Sequence, residues 1–178
     1  MPRRGHDRRS TREPRVELNY EEFVAARGPA LQRLARGLLR NPSDAEDVVQ
    51  DVLAKALLKW NRISAADDPI AYVNRMLVNE STSFWRRTAR REDPRAPEDL
   101  PVSAAADATQ RFLDRDALLA AVRTLPTKQR SVVALRYLDE MDDERIADIL
   151  DMTTGAVRVN ASRGLATLRA AMKLPATV

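Results

Sequence analysis

DDERIADILDMTTGAVRVNASRGLATLRAAM, residues 142–172, reads as a short helix, a tight turn and a longer helix, the proportions of a helix-turn-helix. The first helix takes about eight residues, from Asp142 to Leu150. The turn falls at Asp151, Met152 and Thr153, and Thr153 or Thr154 supplies the hydroxyl that caps the second helix. With Val157 at zero and about 100° per residue, Ala161, Gly164 and Leu168 fall on one side, the packing side. Ala156, Val159, Ser162 and Arg163 point away, with Arg158 and Asn160 on the flanks. After Asp151 the chain has no acidic residue, and its charges are Arg158, Arg163, Arg169 and Lys173. Small, hydroxyl, amide and guanidinium groups suit a surface that enters a major groove, where carboxylates would be repelled by phosphate. An ordinary solvent-facing helix would also be polar here, so this stretch admits both readings.

Upstream, RFLDRDALLAAVRTL (111–125) and PTKQRSVVALRYLDE (126–140) carry helical periodicity, the second opened by Pro126. They complete a module of four short helices over residues 111–178. Before it, residues 92–110 hold three Pro among Ser, Ala and acids, with no sustained apolar period, which predicts a flexible linker.

Residues 18–91 read as a first helical module. YEEFVAARGPALQRLARGLLR (20–40) has Phe23, Val24, Leu31, Leu34, Leu38 and Leu39 at mostly helical spacing, with Gly28 and Pro29 marking a kink or restart. Ser43 and Glu46 form a capping-box pattern at the start of the next helix. That helix gathers Val48, Val49, Val52, Leu53, Ala56, Leu57 and Trp60 on one face, and its opposite face is acidic. Residues 61–68 read as a loop. Asp68 then caps a third helix with Pro69 at its first position. Its end, FWRRTARR (84–91), is basic and acid-free; Phe84 and Trp85 beside four Arg fit the stacking-plus-cation arrangement of single-strand binders, with a core role for Trp85 as the competing reading. The fold class expected is all-α, two small helical modules joined by a flexible linker, the second ending in the helix-turn-helix.

At 178 residues the chain is too short for a large parallel sheet or barrel. The net charge of +4 comes from the tail, since residues 1–15 hold six Arg against Asp7 and Glu13; residues 1–17 read as a disordered basic tail. A strong preference for Arg over Lys also fits a bias of composition, in which such runs are merely solvated faces. No Cys is present and His6 is the sole His, in that tail, which excludes thiolate chemistry, Ser-His catalysis and His-metal sites. No cofactor and no metal is therefore expected, and no glycine-rich phosphate loop supports an enzyme. No apolar run approaches the roughly 18 residues of a membrane span, and the start lacks a signal-peptide core, so a cytoplasmic location without membrane contact is expected.

DAEDVVQDVLAKAL (44–57), Trp60, PIAYVNRMLVNESTSFWRR (69–87), the linker, and LLAAVRTLPTKQRSVVALRYLDEMDDERIADILDMTTGAVRVNASRGLATLR (118–169) together resemble the extracytoplasmic-function group of bacterial RNA polymerase sigma factors. The resemblance covers roughly residues 18–173, in order, on both sides of the linker. It implies a region 2 module (18–91) for polymerase docking and the minus-ten element, and a region 4 module (111–178) for the minus-thirty-five element. It implies core RNA polymerase and promoter DNA as partners, and an anti-sigma factor as a further one.

Residue by residue, the resemblance implies polymerase contacts at Asp44, Asp47, Gln50 and Asp51. Asp44, Asp47 and Asp51 are spaced by three and four, opposite the apolar face, although acids near a helix start also complement its dipole. For the minus-ten element it implies Asn61 in a base-capturing loop (61–68), and Arg75, Asn79, Trp85, Arg86 and Arg87 along the opened strand. For the minus-thirty-five element it implies Thr153, Thr154, Arg158, Asn160, Ser162 and Arg163. Arg130 and Arg136 are further candidates for phosphate contact. Asp151 stands where the family often has Gly in a left-handed turn, so a slightly different turn is expected; Asn160 and Leu165 replace commoner basic residues. A stand-alone helix-turn-helix regulator remains the alternative, one in which the acidic helix and the arginine-aromatic helix have no purpose.

Overall fold

A computed structural model describes residues 19–92 and 112–172. The expected tail (1–17) and nearly all of the expected linker (92–110) lie outside the described residues, as do residues 173–178. Among the described residues there are eight helices and no strand: α1 (Tyr20–Leu38), α2 (Pro42–Leu58), α3 (Trp60–Ser64), α4 (Pro69–Glu92), α5 (Phe112–Arg123), α6 (Thr127–Leu138), α7 (Asp143–Leu150) and α8 (Thr154–Met172).

Local chemistry fixes most of the helix starts. Asn19 caps α1 by accepting the amide of Glu21 at 3.0 Å, and Glu21 and Glu22 fill a first turn where the helix dipole favours acids. α1 then runs through Gly28 and Pro29 without the expected restart. Pro29 is exposed and removes one helical hydrogen bond, while Ala30, Leu31, Leu34 and Ala35 just beyond it are buried and hold the helix together. α2 departs from expectation too. Pro42 takes its first position, so Asn41 rather than Ser43 is the cap, and the Ser43 and Glu46 box does not form. The Asn41 amide instead meets Asp44 at 3.1 Å, and Glu46 pairs with Arg36 of α1 at 3.2 Å.

Part of the expected loop at 61–68 is helical, as α3. Trp60 and Ile63, three residues apart, turn toward the same core; Ile63 is fully buried, and Trp60 meets Tyr20 edge-on at 5.3 Å and Phe23 at 5.1 Å. Trp60 thus belongs to α3 rather than continuing α2, and Leu57 and Leu58 are left exposed at the end of α2. Asp68 caps α4 as expected, its Oδ1 accepting the Ala71 amide at 2.9 Å.

The two modules are distinct in sequence but share a core. One continuous apolar cluster runs from Phe23, Leu31, Leu34, Val52, Val73 and Leu77 of the first to Val132, Leu135, Ile146 and Val157 of the second. α1 is its centre and packs against α2 and α4 on one side and against α5 and α6 on the other, while α7 lies against α4. Gly37 lets α1 and α6 approach closely: a Cβ there would collide with the end of Leu138 and lie 3.7 Å from the Ala134 Cβ. Ala121, Val122, Leu125, Val133 and Leu168 form a smaller cluster within the second module.

Candidate polymerase and nucleic-acid interface

α2 presents a polar face opposite its buried stripe of Ala45, Val48, Val49, Val52 and Ala56. Asp47, Gln50 and Asp51 are exposed and have no partner among the described residues; Asp44 is half-buried and accepts from Asn41. The exposed Leu57 and Leu58 extend this face toward the end of the helix. Acid and exposed leucine side by side suit a partner that is both basic and apolar.

The helix-turn-helix is built as its sequence implies. Asp142 caps α7 by accepting the Arg145 amide at 2.8 Å. Asp151 ends α7 in the left-handed region, φ 51° and ψ 56°, the conformation for which glycine would otherwise be used. The different turn expected at Asp151 is not seen. Thr153 caps α8, its Oγ1 accepting the Ala156 amide at 3.1 Å. Val157, Ala161, Gly164 and Leu168 are the buried residues of α8 and match the expected packing side. A Cβ on Gly164 would stand 2.7 Å from Val133 Cγ2, so this helix packs hard on α6.

Of the six candidates on this element, Thr153, Arg158, Ser162 and Arg163 are exposed, and Thr154 and Asn160 half-buried. Arg158 Nε reaches Asp143 Oδ2 at 3.1 Å, and Arg136 pairs with the other oxygen of the same carboxylate. Asn160 Nδ2 donates to its own helix, at Ala156 O, 2.8 Å. Arg163 and Ser162 thus stand freest for phosphate and base contact.

α4 is arranged differently. Arg75, Asn79 and Arg86 are exposed and fall within about 40° of one another on the helix. Arg87 is exposed too, and is paired with Glu80 at 3.3 Å. Lys55 holds Glu80 from α2 at 2.6 Å, and these two cations outweigh burial to keep the Glu80 carboxyl below its ordinary range. Arg75 also donates to the carbonyl of Asp148 on α7. Trp85 lies on another stripe, with Asn74, Val78 and Ser81, which turns toward the rest of the protein. Its Nε1 donates to Leu38 O at 2.7 Å, and the guanidinium groups of Arg130 and Arg40 lie over its ring at 4.5 and 5.1 Å. The same wheel, applied to α4, would have set Trp85 apart from Arg75 and Asn79. Asn61 is exposed on α3, away from this seam of contacts.

Arg130, read from sequence as a phosphate contact, is 5% exposed and sits between the modules. It donates to Leu38 O at 3.2 Å and to Leu125 O at 3.2 and 3.3 Å. The free carbonyls at the ends of α1 and α5 supply the negative charge that no carboxylate provides. Burial pushes its guanidinium down to about 10, with the charge of Arg40 acting in the same direction, so it remains a cation at neutral pH.

Further polar contacts between the modules have no counterpart in the expected site. The Asp139 side chain, 2% exposed, accepts from Arg27 at 2.7 Å and from Asn74 at 2.6 Å. Arg145 of α7 grips Asp68 with two bonds, at 2.8 and 3.0 Å. Burial alone would raise the Asp68 carboxyl; the Ala71 amide and Arg145 outweigh it and hold it below its ordinary value. An Asn amid the apolar residues Val73, Leu77 and Val78 was the available signal for this seam. Among the described residues no group of His, Cys, Asp and Glu could hold a metal ion, and no helix is long and apolar enough to cross a membrane.

Residues 23–91 match the family model for sigma-70 region 2, and residues 115–168 that for sigma-70 region 4. The chain is similar to the RNA polymerase sigma-E factor of Streptomyces coelicolor, 40% identical over 152 residues that make up 85% of each chain. It is also similar to the sigma factor SigV of Bacillus subtilis, 24% identical over 77% of this chain and 81% of that one. Among solved structures, the sigma factor RpoE of Bartonella quintana in complex with the anti-sigma factor NepR superimposes with a TM-score of 0.71, 24% identity, and 88% and 98% of the two chains covered. CnrH in complex with the cytosolic domain of CnrY gives 0.61, with 25% identity and 88% and 89% covered.

Proposed function

The chain belongs to the sigma-70 family of RNA polymerase sigma factors, in its extracytoplasmic-function group, and from that premise we propose how its surfaces divide the work. As an alternative sigma factor it binds core RNA polymerase and directs promoter recognition and transcription initiation. The acidic face of α2, with Asp44, Asp47, Gln50 and Asp51, docks on polymerase. The outward face of α8, with Thr153, Thr154, Arg158, Asn160, Ser162 and Arg163, reads duplex DNA at the minus-thirty-five element. The exposed stripe of α4, with Arg75, Asn79, Arg86 and Arg87, and Asn61 on α3, follow the opened strand at the minus-ten element, and Trp85 joins them once its ring is uncovered. The chain contributes binding and orientation, and bond formation belongs to polymerase. An anti-sigma factor is a further partner, on the family resemblance and the likeness to a sigma factor solved with one.

The observation that carries this division is the pairing, in one chain, of an acidic face on α2, whose Asp47 and Asp51 have no partner among the described residues, with an acid-free outward face on α8. A repressor acting alone needs only the second. The test is copurification with core polymerase followed by run-off transcription on genomic fragments. Asp47→Arg combined with Asp51→Arg, both on exposed positions, leaves the fold intact and weakens association with core at least about tenfold. Unchanged association would return the α2 face to an ordinary solvated surface and favour the stand-alone regulator.

A further inference from the structure

Two guanidinium groups on the exposed side of α8 stand in different circumstances. The Arg163 side chain has no partner among the described residues, so its long stem is free to follow a nearby phosphate. Arg158 is held. Its Nε donates to Asp143 Oδ2 at 3.1 Å, a carboxylate in the first turn of α7. The other oxygen of that carboxylate is taken by Arg136 of α6. Asp143 therefore ties α6, α7 and α8 together through one side chain.

Neither stability nor affinity explains that contact. An acid in the first turn complements the dipole of α7, but Glu144 beside it already does so from an exposed position. The Arg158 side chain is 71% exposed, and an ion pair so open to water adds little to stability. A carboxylate close to a phosphate backbone weakens attraction to DNA. What the contact supplies is direction. Arg136 and Asp143 are both largely covered, so the carboxylate is anchored from α6 before it meets Arg158. It then takes Nε, the nitrogen along the stem, and leaves Nη1 and Nη2 without a partner among the described residues. Those two amino groups form a planar fork that matches O6 and N7 of guanine.

Resting on the reading of α8 as the helix that enters duplex DNA, we infer that Asp143 is a positioning residue that makes Arg158 the reader of a guanine in the minus-thirty-five element, while Arg163 serves the backbone. Arg158 donates from Nη1 and Nη2 to O6 and N7 of one guanine in the major groove. Asp143 touches no DNA, and its effect is to raise sequence preference at some loss of general attraction. Asn160 does not supply the paired contact that an adenine would need, because its amide is turned back to Ala156 O.

The test uses holoenzyme assembled from the full chain and core polymerase. Its probes are duplex promoters taken from fragments that the wild type transcribes, with each base pair of the upstream element varied in turn. The wild type should prefer guanine at one position by about tenfold, and 7-deazaguanine there, which lacks the N7 acceptor, should lose several-fold of that preference. Asp143→Ala leaves the Asp142 cap of α7 in place. It should reduce the guanine preference at least about threefold while the preferences at other positions stay as they were. Arg158→Lys keeps the charge without the fork and leaves α7 untouched. It should remove the same preference, and adding Asp143→Ala to it should change nothing further. Three results overturn the inference: an equal loss at every position, which would make Asp143 a brace and no more; an effect of Asp143→Ala that persists in the Arg158→Lys background; or a base other than guanine at the coupled position. A wild-type holoenzyme with no base preference in the upstream element would overturn the reading of α8 itself, whereas intact preferences that ignore Asp143 would overturn this inference alone.

Discussion

α4 and α8 have similar chemistry and opposite circumstances. Both are long helices bearing Arg and amide side chains, and both are proposed to touch DNA. α8 buries one narrow stripe of small and apolar residues and leaves the remainder to solvent. α4 is covered by α1 and α2 and again by α7, and a polar residue, Asn74, lies fully buried in its stripe. Availability for nucleic acid is thus decided by what covers a helix as much as by what the helix carries. For α8 the covering is internal to its own module; for α4 part of it comes from the other module.

That contrast can be broken most directly at Leu135, fully buried on α6 in the core that both modules share. Leu135→Ala should cost about 2–5 kcal/mol by urea denaturation. With the modules packed as one body, the variant should unfold in a single transition; two separated transitions would mean that the shared core contributes little. Gly164→Ala probes the buried side of α8. The added methyl meets the branched, buried Val133, so a loss of about 1–3 kcal/mol is expected, and a neutral result would mean that α8 and α6 can slide apart freely.

On the outward side of α8, Arg163→Ala should leave thermal stability unchanged. Binding to duplex promoter DNA should weaken by about 1 kcal/mol, and the slope of log affinity against log salt should become shallower by about one. An unchanged slope would remove Arg163 from the phosphate contacts. The smallest effect concerns α7 on α4. Asp68 and Arg145 are each about one-third exposed, so their pair should stabilise the protein by only about 0.5–1 kcal/mol. The Asp68 carboxyl titrates below its ordinary 3.8 in the folded chain. Its contribution is therefore present above that pH and is lost as pH falls through the lowered value. The stability difference between wild type and Arg145→Ala should shrink as the pH falls from neutrality through the lowered Asp68 value; a constant difference would show that the pair is not ionic.

The parts of the molecule that could be read from sequence are those governed by neighbours a few residues apart. α8 was legible to the residue, because a one-sided helix states its buried stripe through its own spacing. Asp68 with Pro69 was legible for the same reason. Ser43 was not, because Pro42 one position earlier moved the start of α2 and with it the cap. Asp151 adopts the turn that glycine usually serves, since a short carboxylate side chain tolerates that backbone. The seam was beyond local reading altogether: Asp139, Arg27 and Asn74 come from three separate stretches, and nothing near Arg130 in sequence marks it as a buried residue. The placement of Trp85 lay between these cases, visible to a helical wheel and hidden by the attraction of four adjacent arginines.

Arg130 closes the seam against carbonyl oxygens and an aromatic ring, and this choice of partners governs how the seam responds to ions. Separating a cation from a carboxylate leaves two opposite charges in water, and dissolved salt favours that outcome by screening each of them. Withdrawing Arg130 from Leu38, Leu125 and Trp85 removes it from neutral dipoles and from the like charge of Arg40. Salt screens that repulsion and should tighten this contact, whereas the Asp68 and Arg145 pair loosens as salt rises. The two ends of the same seam thus respond to salt in opposite directions.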